Sequence, residues 1–275
     1  MICAKVLSCA QQNLQNALKL MRHIAESAEI AKNVNFGASC DEVSIGHATR
    51  IRENVYIDVK KLTIGDYVTI NPGTVIHGDV VEIGHNCWIG RNVMLDGHGG
   101  LLRIGNNVGI GADSQLWSHM KFGDRLEGCN WHKMENLVVD DDVWFVGHCL
   151  VTAIHAKRRS MLMLGGVATR DMEENQIYAG VPAKNMSHIF GSQFRERTPE
   201  EKKLEFLALI EDYKTTGKNI AVIGVEGTDL EVANADLSTT KFNLGNRTYL
   251  PSYSVEETDF MRFLLYDRAK FLPSS

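Results

Sequence analysis

The stretch that decides the fold runs Ile64-Gly65-Asp66-Tyr67-Val68-Thr69-Ile70-Asn71-Pro72-Gly73-Thr74-Val75-Ile76 and, after a short gap, Ile83-Gly84-His85-Asn86-Cys87-Trp88-Ile89-Gly90-Arg91-Asn92-Val93-Met94-Leu95. The same aliphatic beat extends back through Ile45, Ile51 and Ile57 and forward through Ile104, Ile110 and Leu116. Successive steps are 6, 6, 7, 6, 6, 7, 6, 6, 9, 6 and 6 residues. A period of six matches neither the 3.6 of a helix face nor a long alternating strand, but it matches a short strand and a turn repeated along a solenoid. The recurrent aliphatic residue then points inward. Glycine follows it at Gly46, Gly65, Gly84, Gly90, Gly105 and Gly111, as a tight corner requires when a side chain would crowd the next coil. An ordinary sandwich of short strands would not keep this register.

Grouped in threes, the positions define coils Ile45/Ile51/Ile57, Ile64/Ile70/Ile76, Ile83/Ile89/Leu95 and Ile104/Ile110/Leu116. Every step longer than six falls between triplets, so the extra residues leave at one corner and the longer loops line up along one edge. The largest excursion is Trp117 to Leu137, after which the register resumes at Val139, Phe145 and Val151 and closes with Leu162 and Ala168. The stretch Ile30 to Phe36 opens the solenoid in this reading.

Three further segments are Val139-Asp140-Asp141-Asp142-Val143-Trp144-Phe145-Val146-Gly147, Val167-Ala168-Thr169-Arg170-Asp171 and Ala179-Gly180-Val181-Pro182-Ala183-Lys184. With the repeat, they resemble the hexapeptide-repeat acyltransferases, and among them the sugar O-acetyltransferases, over about Ile30 to His188. The resemblance implies a left-handed parallel β-helix. It also implies transfer from acetyl-CoA or another acyl-CoA to a hydroxyl or amine of a small acceptor, a homotrimer with sites between neighbouring subunits, and a setting such as polysaccharide biosynthesis.

Acyl transfer from a thioester needs a base for the attacking hydroxyl or amine and donors for the oxyanion, and histidine suits the first task near neutral pH. Among ten histidines, position discriminates. His77, His98 and His119 recur at 21-residue intervals on the loop-bearing corner, and both His98 and His119 are third after their inward aliphatic. Equal slots in adjacent coils are about 4.8 Å apart, so the two are expected in one site. His119 opens the longest loop and is the candidate general base. His98, in Asp96-Gly97-His98-Gly99-Gly100, is the competitor, for acceptor contact or as part of a plain turn. By resemblance, Asp96 matches an acceptor-binding carboxylate of sugar acetyltransferases, or else it only ends the turn, and Asp124 and Arg125 on the long loop are further acceptor candidates or simply solvated loop charges. By resemblance, the Gly147 N–H faces the thioester carbonyl, Trp144 walls the acyl pocket, Leu164, Thr169 and Arg170 lie at pantetheine, and Lys184 lies near the phosphates. The run His155-Ala156-Lys157-Arg158-Arg159-Ser160 either clamps a phosphate or forms a solvated face.

Two other readings compete: a catalytically silent scaffold or binding module, since fold does not fix function, and a zinc carbonic anhydrase-like enzyme. The latter calls for two histidine ligands five residues apart, and no pair here has that spacing. No metal is expected.

Outside the repeat, Leu14, Leu18, Met21 and Ala25 at helical spacing predict a helix over about Gln11 to Ser27 within a cap spanning 1–29. The solenoid domain is expected over 30–189 with loop 117–137, and a small α+β appendage over 190–275, serving oligomer contact or capping, or else acceptor or carrier docking. In the appendage, Thr198-Pro199-Glu200-Glu201 predicts a capped helix to about Tyr213. Strands are expected near 219–225 and 240–244, and Ser254 with Glu257 predicts a second capping box before a helix through Lys270.

Composition bounds the partners. The 275 residues are 44% hydrophobic and 23% charged, the balance of a globular protein. The net charge of −5 offers no footprint for nucleic acid or an anionic membrane. No apolar run is long enough to span a bilayer, and the apolar stretch in Met1 to Ala10 is too short for a signal peptide, so a cytoplasmic chain is expected. The six cysteines show no paired spacing and read as free thiols that pack.

Overall fold

The computed structural model describes residues 21–234 and 239–274. It is a mainly β chain with a parallel solenoid of about eight turns, and it divides into one compact unit ending at Gln193 and a second comprising Phe194–Ser275. The solenoid has three faces. The first stacks Glu29–Ile30, Arg50–Ile51, Thr69–Ile70, Trp88–Ile89, Gly109–Ile110, Trp144–Phe145, Met161–Leu162 and Ile177–Ala179 in parallel order. The other two share the long strands Tyr56–Ile64, Val75–Ile83 and Met94–Ile104, which bend around the loop-bearing corner.

The six-residue beat is the register itself. Ile57 pairs with Ile76, Ile76 with Leu95, Leu95 with Leu116 and Leu116 with Val151. Ile51, Ile70, Ile89, Ile110, Phe145 and Leu162 form a second inward column, and Ile45, Ile64, Ile83, Ile104, Val139 and Ala156 a third. All of these are buried in one continuous core. Glycine marks a corner where backbones touch: a Cβ at Gly65 would lie 2.8 Å from the carbonyl carbon of Gly84, and one at Gly84 2.7 Å from that of Gly105. Any larger residue there would force adjacent coils apart.

The amino-terminal expectation changes. Met21–Ile24 is a strand, parallel to Glu42–Ile45, so the solenoid begins before Ile30, and the predicted helix does not extend over these residues. The edge of Glu42–Ile45 carries unpaired N–H and C=O groups, and a strand satisfies them as no helix could. Gln11 to Leu20, the rest of that helix, lies outside the described residues. The excursion after Leu116 is an antiparallel hairpin, His119–Lys121 against His132–Met134.

The second unit is a five-stranded sheet with two helices, Pro199–Thr215 and Val255–Leu264. The first helix has the full capping box, with Thr198 Oγ1 accepting from Glu201 N and Glu201 accepting from Thr198 N. Only half of the second box forms. Ser254 Oγ accepts from Glu257 N, but the buried Glu257 carboxylate accepts instead from Ser252 N, Ser252 Oγ, Tyr253 N and Thr240 Oγ1. That helix stops at Leu264 rather than Lys270, because Leu265 is extended and Tyr266 is left-handed, with φ 85°. Asp229–Asn234 is a strand that the sequence did not announce.

Candidate active site

The loop-bearing corner gathers its chemistry around one carboxylate. Asp96 follows the inward Leu95 and lies in register between His77 and Trp117. It is only 6% exposed. Its Oδ1 is 3.0 Å from His119 Nδ1 and 3.3 Å from His98 Nδ1, and it accepts the His98 backbone N–H at 3.1 Å. A carboxylate only accepts, so Nδ1 of His119 donates to it and Nε2 keeps the lone pair. That tautomer is the one a general base needs.

Ser118 is the hub that holds this arrangement. Its N–H donates to Asp96 O at 3.0 Å, its Oγ accepts the Gly99 N–H at 2.7 Å, and its carbonyl accepts the Glu135 N–H at 3.0 Å. One buried serine therefore ties the Asp96 turn to the base of the hairpin whose first residue is His119. Gly99 is compulsory for the same reason, because a Cβ there would fall on the Ser118 carbonyl oxygen. His98 and His119 are neighbours, with ring centroids 6.1 Å apart.

Asp96, a candidate for acceptor binding, is buried, and its carboxylate is hydrogen-bonded to two imidazoles. Asp124 serves the hairpin tip, where its Oδ1 accepts from Leu126 N at 2.8 Å and Glu127 N at 3.4 Å, while Arg125 beside it is exposed. Thr169 and Arg170 are exposed on this same corner further along the solenoid.

The remaining candidates stand elsewhere. Gly147 lies on the next corner, with φ +153°. It aligns with Ala112, whose carbonyl accepts the His148 N–H at 2.8 Å. The run from Ala112 to His119 crosses a whole face through the extended Gln115–Trp117. At roughly 3.3 Å per extended residue, Gly147 and His119 of one chain are on the order of 15 Å apart. The Gly147 N–H donates no hydrogen bond among the described residues. Leu164 is beside it, 65% exposed and with Cδ1 3.4 Å from where a Gly147 Cβ would be. Leu164 is thus one face away from Thr169 and Arg170, with which the sequence reading grouped it. Trp144 is 44% exposed on the first face. Lys184 is exposed in a strand antiparallel to Ile177–Ala179.

The basic run is a paired surface: Lys157 with Glu173, Arg158 with Glu174, Arg159 with Asp142 and His155 with Asp140. Of the cysteines, Cys40, Cys87 and Cys149 are buried, Cys129 is partly exposed on the hairpin, and Cys3 and Cys9 lie outside the described residues. Burial pushes the Cys149 thiol up despite hydrogen bonds around it, so a thiol two residues from Gly147 is a poor nucleophile. Among the described residues, no group of three or more His, Cys, Asp or Glu is arranged to hold a metal ion. Among them also, no helix is long and apolar enough to cross a membrane.

Sequence reasoning named His98, His119 and Asp96, which the structure brings together, but did not single out Ser118. Its signal was present: a serine immediately before the loop histidine, facing a glycine in the equivalent turn one coil earlier.

No family model and no curated protein matches the chain. Among solved structures it is similar to a variant of AntD, an N-acyltransferase from Bacillus cereus in complex with dTDP-4-amino-4,6-dideoxyglucose and coenzyme A. Identity is 15%, over 75% of this chain and 96% of that one, with a TM-score of 0.43. The polysialic acid O-acetyltransferase OatWY is similar at 16% identity over 61% of this chain and 84% of that one, TM-score 0.47. A hexapeptide-repeat acetyltransferase from Vibrio cholerae O1 biovar eltor, complexed with acetyl coenzyme A, is similar at 13% identity over 68% and 78%, TM-score 0.29.

Proposed function

We propose that the chain is an acyl-CoA-dependent acyltransferase that moves an acyl group, most simply acetyl, to a hydroxyl or amine of a sugar or other small acceptor. The observation that carries this reading is the buried Asp96 carboxylate 3.0 Å from His119 Nδ1, at the root of the largest loop. His119 Nε2 takes the acceptor's proton as the acceptor oxygen or nitrogen attacks the thioester carbonyl. The C–S bond breaks as the new C–O or C–N bond forms, and the CoA sulfur recovers the proton from the imidazolium. Asp96 fixes the tautomer and stabilises the imidazolium through its charge. The unbonded Gly147 N–H donates to the oxyanion.

The donor lies along the other corner, with Trp144 and Leu164 against its acyl and pantetheine parts and Lys184 at its phosphates. Thr169 and Arg170 contact its pantetheine from the loop-bearing corner, and Asp124 and Arg125 border the acceptor. Base and oxyanion donor are a face apart in one chain, so a complete site takes His119 from one copy and Gly147 from a second. A closed ring of three such copies supplies three equal sites. Dependence on acyl-CoA fits a cytoplasmic enzyme.

The test is calorimetric titration of acetyl-CoA into wild type and His119→Ala, then thiol release across nucleotide sugars, simple sugars, oligosaccharides and antibiotics. CoA binding by both, with thiol release by the wild type alone, is the expected result. No CoA binding overturns the donor assignment, and undiminished turnover by His119→Ala moves the base to His98.

A further inference from the structure

Along the loop-bearing corner the rings of Tyr56, His77, His98 and His119, from four successive coils, stand in single file, and Trp117 lies beside the last of them, 6.0 Å from His119 between centroids. Ring centroids are 5.7 Å apart from Tyr56 to His77, 5.6 Å from His77 to His98 and 6.1 Å from His98 to His119. Successive rings are tilted by 57° to 77°. Each keeps unspent polar capacity. Among the described residues the His77 ring makes no hydrogen bond, His98 and His119 engage only Nδ1, and the Tyr56 hydroxyl has a single long contact of 3.5 Å to Asp58. All four are half-buried or exposed. The backbone beneath them is bare, because Gly78 and Gly97 pack so closely that a Cβ on Gly78 would lie 2.8 Å from Gly97 Cα.

A ring with an apolar face and a polar edge is matched to a pyranose, which has apolar C–H faces and hydroxyls around its rim. The coil rise, about 4.8 Å, is close to the length that one sugar unit adds to an extended chain. Each coil therefore offers one rung to one unit. The charges narrow the class. Asp58, Asp79 and Asp96 line the stretch from Tyr56 to His98, where Lys60 is paired with Asp79 at 2.5 Å and Lys121 is held on Met134 Sδ, so a polyanion on that stretch would meet carboxylates, while the exposed Arg125 and Arg170 lie beyond it on the hairpin and the later coils.

We infer that the acceptor is an extended, uncharged glycan chain, with its reacting unit at His119 and its following units at His98, His77 and Tyr56. This deepens the acyltransferase reading and rests on it for the identity of the reacting unit. The binding tract itself can be tested without acyl transfer.

The experiment is calorimetric titration of full-length protein, without CoA, with malto-, cello- and chito-oligosaccharides of graded length from the monosaccharide to the hexasaccharide. An α2,8-linked sialic acid tetramer and a nucleoside diphosphate sugar serve as anionic comparators. The expected result is that one neutral series gains affinity by about three- to tenfold per added unit up to the fourth and then levels off, the gain that one or two net hydrogen bonds bring. Tyr56→Ala and His77→Ala should each remove the gain from the distal units, and His77→Gln, which keeps a donor, should restore part of it. Thermal melts of the same proteins confirm that the variants are folded.

No binding by any neutral series, affinity independent of length, tighter binding of either anionic ligand, or wild-type binding by both alanine variants overturns the inference. Failure of CoA binding or thiol release overturns the acyltransferase reading and leaves the titration result standing, so the two failures are distinguishable.

Discussion

Replacing Asp96 by Asn tests the proposed chemistry at its most buried charge. The amide oxygen can still accept from His119 Nδ1 and from the His98 backbone N–H, which now lie 3.0 and 3.1 Å from Oδ1, so the fold of the turn survives. What disappears is the negative charge facing the imidazolium that forms when His119 takes a proton. Two unit charges about 4 Å apart interact by about 4 kcal/mol at the effective dielectric of a protein near its surface. His119 is 21% exposed and Asp96 9%, as side chains, so part of that is screened by water. A loss of about 3–4 kcal/mol in transition-state stabilisation corresponds to roughly 10²- to 10³-fold in kcat. The assay is steady-state thiol release with saturating acetyl-CoA and an acceptor from the panel. KM for both substrates should stay within about twofold, because the charge acts in the transition state and not on ground-state binding. His119→Ala should lose about 10²- to 10⁴-fold, and the double variant should be hardly worse than His119→Ala alone, since the two residues act as one unit. A kcat for Asp96→Asn within threefold of wild type, or full additivity in the double variant, would falsify the dyad.

Four more outcomes follow from the geometry. Gly99→Ala drives a methyl group into the Ser118 carbonyl, so it should lower both the melting temperature and turnover, whereas alanine at Gly165, where a Cβ meets nothing within 4 Å, carries only the strain of φ +70°. Phe145→Ala, at a fully buried side chain of the solenoid core, should cost about 3–5 kcal/mol in denaturant unfolding, whereas Leu150→Ala, 42% exposed on the outside, should cost far less. In the second unit, burial first and then the hydrogen bond to Asp259 at 2.7 Å hold the Tyr213 hydroxyl well above the ordinary phenol value. Its contribution to stability is therefore full below about pH 10, where the unfolded phenol ionises, and is lost as pH rises further. Tyr213→Phe should flatten that alkaline decline in a pH series of thermal melts. Finally, thiol labelling followed by peptide mapping should modify Cys129 well before Cys40, Cys87 or Cys149, since burial raises the Cys40 and Cys149 thiols and only Cys129 of the four is not buried.

The coil architecture was legible because the hydrophobic effect repeats. An inward slot filled by Ile57, Ile76, Leu95 and Leu116, each 0% exposed, recurs once per coil, and three such columns together set the six-residue beat, which is visible without coordinates. The corner where loops collect was equally legible, since only there does the step length vary. The same reasoning put His98 and His119 side by side from their equal offsets. The periodic reading failed at the amino-terminal edge, where Met21 and Ala25 fitted a helix face but Met21–Ile24 is held as a strand by the unpaired edge of Glu42–Ile45. It failed again at Glu257, whose cap pattern was right but whose carboxylate found four donors in the fold.

The sequence by itself settled the period, the three-sided coil, the loop-bearing edge and the histidines on it, because each depends on spacing along the chain and on burial of apolar surface. Only the tertiary structure decided that Asp96 hydrogen-bonds His119, that Ser118 ties the turn to the hairpin, and that Gly147 stands a face away from His119. Those facts depend on which groups in different coils come within about 3 Å of each other, the reach of a hydrogen bond, and neighbours of that kind are separated by about a full coil or more of sequence.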